Sequence, residues 1–317
     1  MNDGPYDELM KRSTAVLQGS SEERRLLPIL YMIDDPAKWD DIEELRKANP
    51  NMGVSVTVDF FLEEIAIARN SLSKRAEFLT KYCNIKQSST QAWLPYDVVD
   101  AVTGEPLRLE DFRSSYCVGG IDLSQTTDLT ACCVVIEKAG RLYVLARFFM
   151  PENKIDELQE REGVPYRLYV SAGLIQPSGE NYVDYNDCFE WFRMLVEEYE
   201  ILPLQVGYDR YSAQYLVQQM EQYGFHMDDV YQGENLTPVI HECDGLLRDK
   251  TLQLGDNNLL KAHFLNVGMK QNLETRKVRP VKIDPRCHID GFVAVIDALT
   301  VRQKWYDQIG EQLKNAA

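Results

Sequence analysis

The chain has 317 residues, of which 44% are hydrophobic and 10% aromatic, a composition that excludes a disordered or fibrous protein. Acidic residues outnumber basic ones by 50 to 34, so the formal net charge is −16, which argues against a generic nucleic-acid coat or an anionic-membrane binder. No apolar run reaches the roughly 18 residues of a transmembrane helix, and the polar, acidic start predicts no signal peptide. The seven scattered cysteines indicate reduced thiols and a cytosolic protein.

The first third of the chain follows mainly helical patterns. An apolar run at 29–33 predicts a strand, and apolar periodicity predicts helices at 38–47, 57–70 and 73–83. A polar segment with Gly and Pro at 104–115 precedes a marked change of pattern. We therefore predict a mainly helical region over residues 1–112 and a second domain over residues 113–317.

After this seam, strand and helix patterns alternate. Strands are predicted at 116–122, 130–137, 141–150, 203–209 and 251–254, with a hairpin turn at 138–140 and a polar hairpin or long loop at 270–283. Helices are predicted at 184–199, 212–223, 236–248 and 290–302. This alternation after an antiparallel start predicts an α/β fold with a mixed sheet covered by helices on both faces.

Carboxylates stand at the ends of three apolar runs. Asp122 and Asp209 each close a predicted strand, and Asp290 opens the last predicted helix. Acids at the carboxyl ends of central strands project into the crevice where α/β proteins place ligands. Carboxylates gathered there repel one another unless a divalent cation such as Mg²⁺ or Mn²⁺ neutralises them. Two such ions roughly 4 Å apart can clamp the attacking and leaving oxygens of a phosphodiester.

The last predicted helix carries a second acid on the same face. Asp290 and Asp297 are seven residues apart, and the rest of this helix is nearly apolar, so the helix is expected to be buried. Each acid taken alone also has a structural explanation. Asp209 could cap a following helix, Asp290 could complement the helix dipole, and Asp122 could be a polar strand terminus.

Three acid motifs in order resemble the nuclease portion of the large terminase subunit of tailed phages. The segment 120–130, Gly-Ile-Asp-Leu-Ser-Gln-Thr-Thr-Asp-Leu-Thr, is similar to the first nuclease motif of that family. The segment 207–213, Gly-Tyr-Asp-Arg-Tyr-Ser-Ala, is similar to the second, and 288–299 to the third. Trp39 and the segment 47–53, Lys-Ala-Asn-Pro-Asn-Met-Gly, resemble the link between the ATPase and nuclease domains of the family.

The resemblance implies a ribonuclease H-like domain with a two-metal site that cleaves double-stranded DNA during packaging. Carried over, Asp122, Asp209 and Asp290 are the catalytic metal ligands, Asp128 is a further acid, and Asp297 is the alternative for the third position. Two Mg²⁺ or Mn²⁺ ions and an attacking water would perform the hydrolysis. The implied partners are DNA, the portal and the small terminase subunit, in the cytoplasm of the infected bacterium.

The phosphate loop of a full large terminase is missing from this sequence. None of the 18 glycines begins a G-x-x-x-x-G-K-[ST] motif. Residues 1–35 resemble the tail of an ATPase domain. We therefore expect this chain to cut DNA without pumping it.

Charge is unevenly distributed along the chain. Residues 151–200 contain 12 acidic and 4 basic residues, a net charge of −8, whereas residues 270–286 carry six bases against two acids. We hypothesise that these six bases follow the phosphate backbone of DNA beside the acids, and the alternative is a solvated loop. The six are Lys270, Arg276, Lys277, Arg279, Lys282 and Arg286.

Two other functions compete with the nuclease. Residues 120–127 also resemble the first phosphate loop of the actin, sugar-kinase and heat-shock chaperone group, which predicts ATP binding without DNA cleavage. Alternatively, the chain could be a non-catalytic DNA-gripping or docking module of a packaging motor, with the acidic segment 151–200 facing its partner. A zinc site formed by His241, Cys243, Cys287 and His288 has a spacing that fits no usual zinc finger.

Overall fold

The protein is described here by a computed structural model that covers residues 5–17, 19–21, 23–35, 38–69, 78–85, 92–123, 129–209, 214–272, 274–284 and 286–314. The chain divides into two units, Met1–Gln91 and Ala92–Ala317. Within these ranges, every helix is either too short or too polar to cross a lipid bilayer.

The first unit is helical around a small apolar core. Its helices with fully described bounds are α1 (Pro5–Leu17), α2 (Ile42–Ala48) and α3 (Val58–Arg69), and residues 78–81 are also helical. The Asp41 carboxylate caps α2 by accepting a hydrogen bond from the Glu43 N–H. The predicted strand at 29–33 is wrong, since residues 26–33 have no regular secondary structure. A strand needs a neighbour for its backbone groups, and the backbone bond that the structure records here joins Ile33 N to Cys83 O.

The second unit begins before the predicted seam. Trp93 N–H donates to Val267 O, and Gly104 N–H donates to Gly255 O, so residues 92–112 are tied to the sheet domain. Helix α4 (Tyr96–Asp100) belongs to this segment, and Val99 is fully buried in the core of the second unit. The predicted boundary between residues 112 and 113 therefore lies inside this unit. The predicted role of residues 1–112, a link with a remnant of an ATPase domain, remains a prediction.

A mixed sheet forms the centre of the second unit. Its strands are β1 (Tyr116–Asp122), β2 (Thr130–Lys138), β3 (Arg141–Met150), β4 (Ile175–Pro177), β5 (Leu202–Asp209), β6 (Met227–Val230) and β7 (Leu252–Gln253). Their order is β4-β3-β2-β1-β5-β6, with β7 also paired to β3. The β1–β2 and β2–β3 pairs are antiparallel, and β1–β5 and β5–β6 are parallel. Strand β1 is thus central and switches the sheet from antiparallel to parallel.

Helices cover both faces of this sheet. They are α5 (Ile155–Glu162), α6 (Tyr166–Ser171), α7 (Tyr185–Tyr199), α8 (Gln214–Tyr223), α9 (Thr237–Arg248), α10 (Asn258–Leu265) and α11 (Asp290–Lys314). Successive residues of a strand point to opposite faces. Accordingly, Val118 of β1 lies in one buried cluster with α9, α10 and α11, whereas Cys117 lies in a second cluster with α7 and α8. The predicted mixed α/β sheet flanked by helices is confirmed.

Some elements of the second unit differ from the predicted ones. The short helices α5, α6 and α10 were not predicted, and α11 continues to Lys314, beyond its predicted end at 302. The predicted polar hairpin at 270–283 is formed by β8 (Val267–Gln271) and β9 (Val278–Lys282) in antiparallel pairing. Short helices give too few turns for a periodic pattern to be distinctive.

Candidate metal centre

Two glycines let α11 lie directly on the central strands. A Cβ atom at Gly120 of β1 would lie 1.9 Å from the carbonyl oxygen of Ala294. A Cβ atom at Gly207 of β5 would lie 2.5 Å from the carbonyl oxygen of Asp297. Each glycine stands two residues before an acid at the end of its strand, so the missing side chains bring α11 to the carboxyl ends of both strands. Asp290 lies one helical turn before Ala294.

The strand register places the first two acids side by side. Ile121 of β1 is paired with Tyr208 of β5 in parallel, so Asp122 and Asp209 follow at the same level on neighbouring strands. Asp122 also faces Ala131 of β2, which makes it the last paired residue of its strand. Both carboxylates thus project from the crevice edge of the sheet.

The electrostatics of Asp122 show that three acids lie close together. Burial raises the pKa of Asp122 well above its usual value, and the charges of Asp290 and Asp209 raise it further. Lys282 acts in the opposite direction. Because like charges disfavour each other's ionisation, the effects of Asp209 and Asp290 indicate that both lie near Asp122.

Asp297 lies beneath this cluster. Its side chain is completely buried, and burial raises its pKa well above the usual value. The charge of Asp122 raises this pKa further. Gln232 Nε2 donates to its Oδ1 at 2.6 Å, whereas its Oδ2 has no hydrogen-bond partner among the described residues. A buried carboxylate oxygen without a partner is costly, and a cation is one group that would satisfy it.

Asp290 stands in a different environment from Asp122. Burial disfavours its charge, but the contact with His288 and the charge of Lys282 act against that effect, and the pKa of Asp290 is lowered. Asp290 Oδ2 and His288 Nδ1 are 3.3 Å apart, and neither atom makes a hydrogen bond within the described part of the chain. His263 is fully buried, which lowers its pKa to about 3, so it is neutral, and its Nδ1 accepts the Gly291 N–H at 2.9 Å.

These donors suit a hard divalent cation. The four carboxylates offer oxygen ligands, the type that Mg²⁺ and Mn²⁺ prefer, and Oδ2 of Asp290 and of Asp297 are buried without partners. Among the described residues, however, no group of three or more His, Cys, Asp or Glu side chains is arranged so that it could hold one metal ion. The same holds for the zinc alternative, in which Cys243 is buried within α9.

The six predicted DNA-binding bases fall into different environments. Lys282, at the end of β9, lowers the pKa values of Asp122 and Asp290, so its positive charge lies near the acids. Arg286 forms a two-point ion pair with Asp284. The other four are exposed on the β8–β9 hairpin and its turn: Lys270, Arg276, Lys277 and Arg279. The hairpin therefore presents a basic edge beside the acid cluster.

Electrostatic interactions connect Asp122 with Asp209, Asp290 and Asp297, four of the five predicted acids. The fifth, Asp128, lies outside the described residues. Sequence reasoning missed the role of Gly120 and Gly207, although a small residue two places before each acid was a visible signal. It also missed His263 and Glu162, which no local pattern connects to the acids. Glu162 Oε2 is 3.0 Å from His288 Nε2.

We expect the substitution Asp122→Asn to stabilise the protein when divalent cations are removed. The raised pKa means that the folded state holds the Asp122 proton more tightly than the unfolded state. The ionised carboxylate therefore costs stability as pH rises from about 4 through the folded pKa. At pH 7.5 the midpoint of thermal unfolding should rise by at least about 2 °C, and this gain should shrink as the pH is lowered.

Magnesium supplies the matching test of the same cluster. Mg²⁺ should raise the unfolding midpoint of the wild type more than that of Asp122→Asn, because a bound ligand stabilises the folded state. The exposed Asp249→Asn is the control and should leave both measurements unchanged. Equal stability of wild type and Asp122→Asn at pH 7.5 without metal would contradict the crowding of carboxylates.

Comparison with known proteins gives a consistent family and fold. The family described as "Terminase large subunit, endonuclease domain" matches residues 29–304. Protein YmfN of Escherichia coli strain K12 is 25% identical over 313 residues, 94% of this chain and 67% of YmfN. The terminase large subunit of Lactococcus phage p2 is 22% identical over 298 residues, 89% of this chain and 53% of that protein.

A solved structure supports the fold. The crystal structure of the HK97 bacteriophage large terminase is similar with a TM-score of 0.59 at 18% sequence identity, over 92% of this chain and 60% of that chain. This likeness confirms the predicted ribonuclease H-like sheet. The chain spans only part of the length of each of these relatives.

Proposed function

Because the chain belongs to the terminase large subunit endonuclease family, we propose that it is a metal-dependent endonuclease that cleaves double-stranded DNA during phage genome packaging by two-metal hydrolysis. The observation that carries this proposal is the crowding of Asp122, Asp209 and Asp290 at one edge of the sheet. Such crowding costs stability unless a cation is shared. The unpartnered carboxylate oxygens of Asp290 and Asp297 support the same reading.

Each side chain has a distinct role in this proposal. Asp122, Asp209 and Asp290 would hold two Mg²⁺ or Mn²⁺ ions, with Asp297 as the alternative for the third position and Asp128 as a further acid. When bound, these ions supply Lewis-acid activation of water and neutralise charge on the phosphodiester. Lys282, which lies near the acids, adds a fixed positive charge beside the scissile phosphate. Neutral His263 fixes the first turn of α11 through the Gly291 N–H.

The experiment that tests the proposal is plasmid cleavage. The purified chain, incubated with supercoiled plasmid across a series of Mg²⁺ and Mn²⁺ concentrations, should produce nicked and linear DNA only when a divalent cation is present. Chelation with EDTA should stop the reaction. If the plasmid stays intact across the whole series and the chain binds ATP measurably, the alternative is favoured, namely an ATP-binding protein of the actin and sugar-kinase group.

The β8–β9 hairpin is proposed to bind the DNA backbone. Each phosphate contact made by Lys or Arg steepens the salt dependence of binding by about 0.9 in log–log slope. The double variant Lys277→Ala/Arg279→Ala should therefore flatten the slope by about 2 and weaken binding on every DNA sequence alike. Fluorescence anisotropy with a labelled duplex between about 50 and 200 mM salt measures both quantities.

A matched double variant controls for the loss of charge. Arg108 and Arg141 are exposed, and Arg141 is the first residue of β3, at the opposite end of the sheet from Asp122. Arg108→Ala/Arg141→Ala removes two positive charges and should leave the slope unchanged. If both double variants flatten the slope equally, net charge rather than the hairpin governs binding.

The remaining proposals concern the partners of this chain and its location in the cell. We propose that the portal and the small terminase subunit hold this chain on DNA in the cytoplasm of the infected bacterium. The acidic segment 151–200, which includes α5, α6 and α7, is the proposed docking side for such a partner. Its net charge of −8 makes it unsuited to the DNA backbone.

A further inference from the structure

Glu162 is a buried carboxylate that belongs to none of the acid motifs. It ends α5, and its side chain is only 3% exposed. Buried charges are costly unless they are paired, and Glu162 is paired on both oxygens. Arg161 contacts its Oε1 at 2.6 Å, Tyr166 Oη donates to its Oε2 at 2.7 Å, and His288 Nε2 lies 3.0 Å from the same Oε2. These partners lower its pKa against the effect of burial.

The helices around Glu162 form a rigid support. Ile155 and Leu158 of α5 are buried in the sheet core, as is Tyr166 of α6. Arg167 makes a two-point ion pair with Asp156, with both N···O distances at 2.7 Å, which ties α6 to α5. The Glu162 carboxylate is therefore held in place by packing and by hydrogen bonds, independently of the acids at the sheet edge.

His288 connects this support to the proposed metal ligand. An ionised Glu162 can only accept, so His288 Nε2 carries the hydrogen and donates to it. The opposite ring nitrogen, Nδ1, lies 3.3 Å from Asp290 Oδ2, and it attracts that carboxylate when it carries the second ring hydrogen. The contact between Glu162 and His288 joins residues that are 126 positions apart in the sequence.

The His288 ring is confined from other directions as well. It is stacked with His263 at a centroid distance of 6.2 Å and an interplanar angle of 21°, and its side chain is 6% exposed. Asn266 Nδ2 donates to the His288 backbone carbonyl at 3.0 Å. With backbone and ring both held, the Nε2 hydrogen bond sets which way Nδ1 points.

We propose that Glu162 is a positioning residue that acts through His288 to fix the Asp290 carboxylate for binding a divalent cation. This inference rests on the proposed function, because it assigns Asp290 to the metal. Partners behind metal ligands commonly change metal affinity by about 10- to 100-fold when they are removed. Glu162 itself does not touch the metal or the DNA.

The test measures metal binding directly rather than cleavage. Isothermal titration calorimetry with MnCl₂ on the full chain should show that Glu162→Ala weakens Mn²⁺ binding by about 10- to 100-fold. Glu162→Gln keeps an acceptor oxygen for the His288 N–H, so it should weaken binding less and serves if the alanine variant does not fold. Glu160→Gln, an exposed acid on the same helix, should bind Mn²⁺ like the wild type.

A double-mutant cycle separates positioning from general destabilisation. If Glu162 acts through His288, then Glu162→Ala should have no further effect on Mn²⁺ affinity in the His288→Ala background, whereas independent effects would add. Unchanged Mn²⁺ affinity in Glu162→Gln and Glu162→Ala, with normal wild-type binding, overturns the positioning role alone. A wild-type chain that neither binds Mn²⁺ nor cuts DNA overturns the proposed function together with it.

Discussion

Replacement of Asp122 by alanine is expected to abolish plasmid cleavage, with a fall of at least about 1000-fold in rate. That fall corresponds to about 4 kcal/mol of lost transition-state stabilisation, the several kilocalories that a bound cation contributes. Asp122 has this weight because it sits at the end of the central strand, where its charge interacts with both Asp209 and Asp290. Nicking of supercoiled plasmid at saturating Mn²⁺ measures the rate.

The folded state of this variant should remain intact. Removing one of several crowded carboxylates relieves repulsion, so thermal unfolding without metal should be no lower than in the wild type. Asp249→Ala, an exposed acid after α9, serves as the control and should cut at the wild-type rate. Cleavage by Asp122→Ala within about tenfold of the wild type would mean that the nuclease site lies elsewhere.

The second large effect concerns stability rather than chemistry. Gly120→Ala should destabilise the fold by at least about 3 kcal/mol, since overpacking in a rigid core commonly costs 1–3 kcal/mol and sometimes more. Here the added Cβ would lie 1.9 Å from the Ala294 carbonyl oxygen and 2.8 Å from the Ala298 nitrogen, both backbone atoms of α11. A backbone in a buried helix cannot move aside as a flexible side chain can. Chemical denaturation with urea, followed by circular dichroism, measures the loss.

The second unit provides a control of the same type. Gly245 lies inside α9, and a Cβ there would have no atom within 4 Å. Gly245→Ala should therefore stabilise the protein by about 0.5–1 kcal/mol, because alanine is the better helix former. If Gly120→Ala is as stable as the wild type, then α11 does not lie against β1 as described.

If Gly120→Ala still folds at a lower temperature, its affinity for Mn²⁺ tests the position of α11. Displacing α11 from β1 moves Asp290 away from Asp122, because the glycine contact lies one turn from the start of the helix. Mn²⁺ affinity should then fall together with stability. Gly245→Ala should leave Mn²⁺ affinity unchanged, which separates the position of α11 from the overall stability of the chain.

Much of the second unit was predictable because its signals are local. The strands at 116–122 and 141–150 have the bounds that apolar runs predicted, and the turn between β2 and β3 lies where Lys-Ala-Gly predicted it. The one failure has a physical cause, since the apolar run at 29–33 lacks a recorded ladder partner and is not a strand. Residues 92–112, which include most of the polar segment at 104–115, make their contacts with the second unit. Polarity marks an exposed segment, but contacts decide which unit it joins.

The sequence by itself determined the fold class, the order of the acid motifs and the elements that carry Asp122, Asp209 and Asp290. It did so because hydrophobic periodicity and turn residues act over a few positions. Only the tertiary structure decided that Gly120 and Gly207 receive α11, that Lys282 lies near the acids, and that Glu162 reaches Asp290 through His288. Periodicity reports which face of an element is buried, but it carries no information about which distant element covers that face. The net charge of −16 is therefore compatible with a DNA enzyme, because the tertiary structure gathers acids at a proposed metal site and places a basic hairpin beside them.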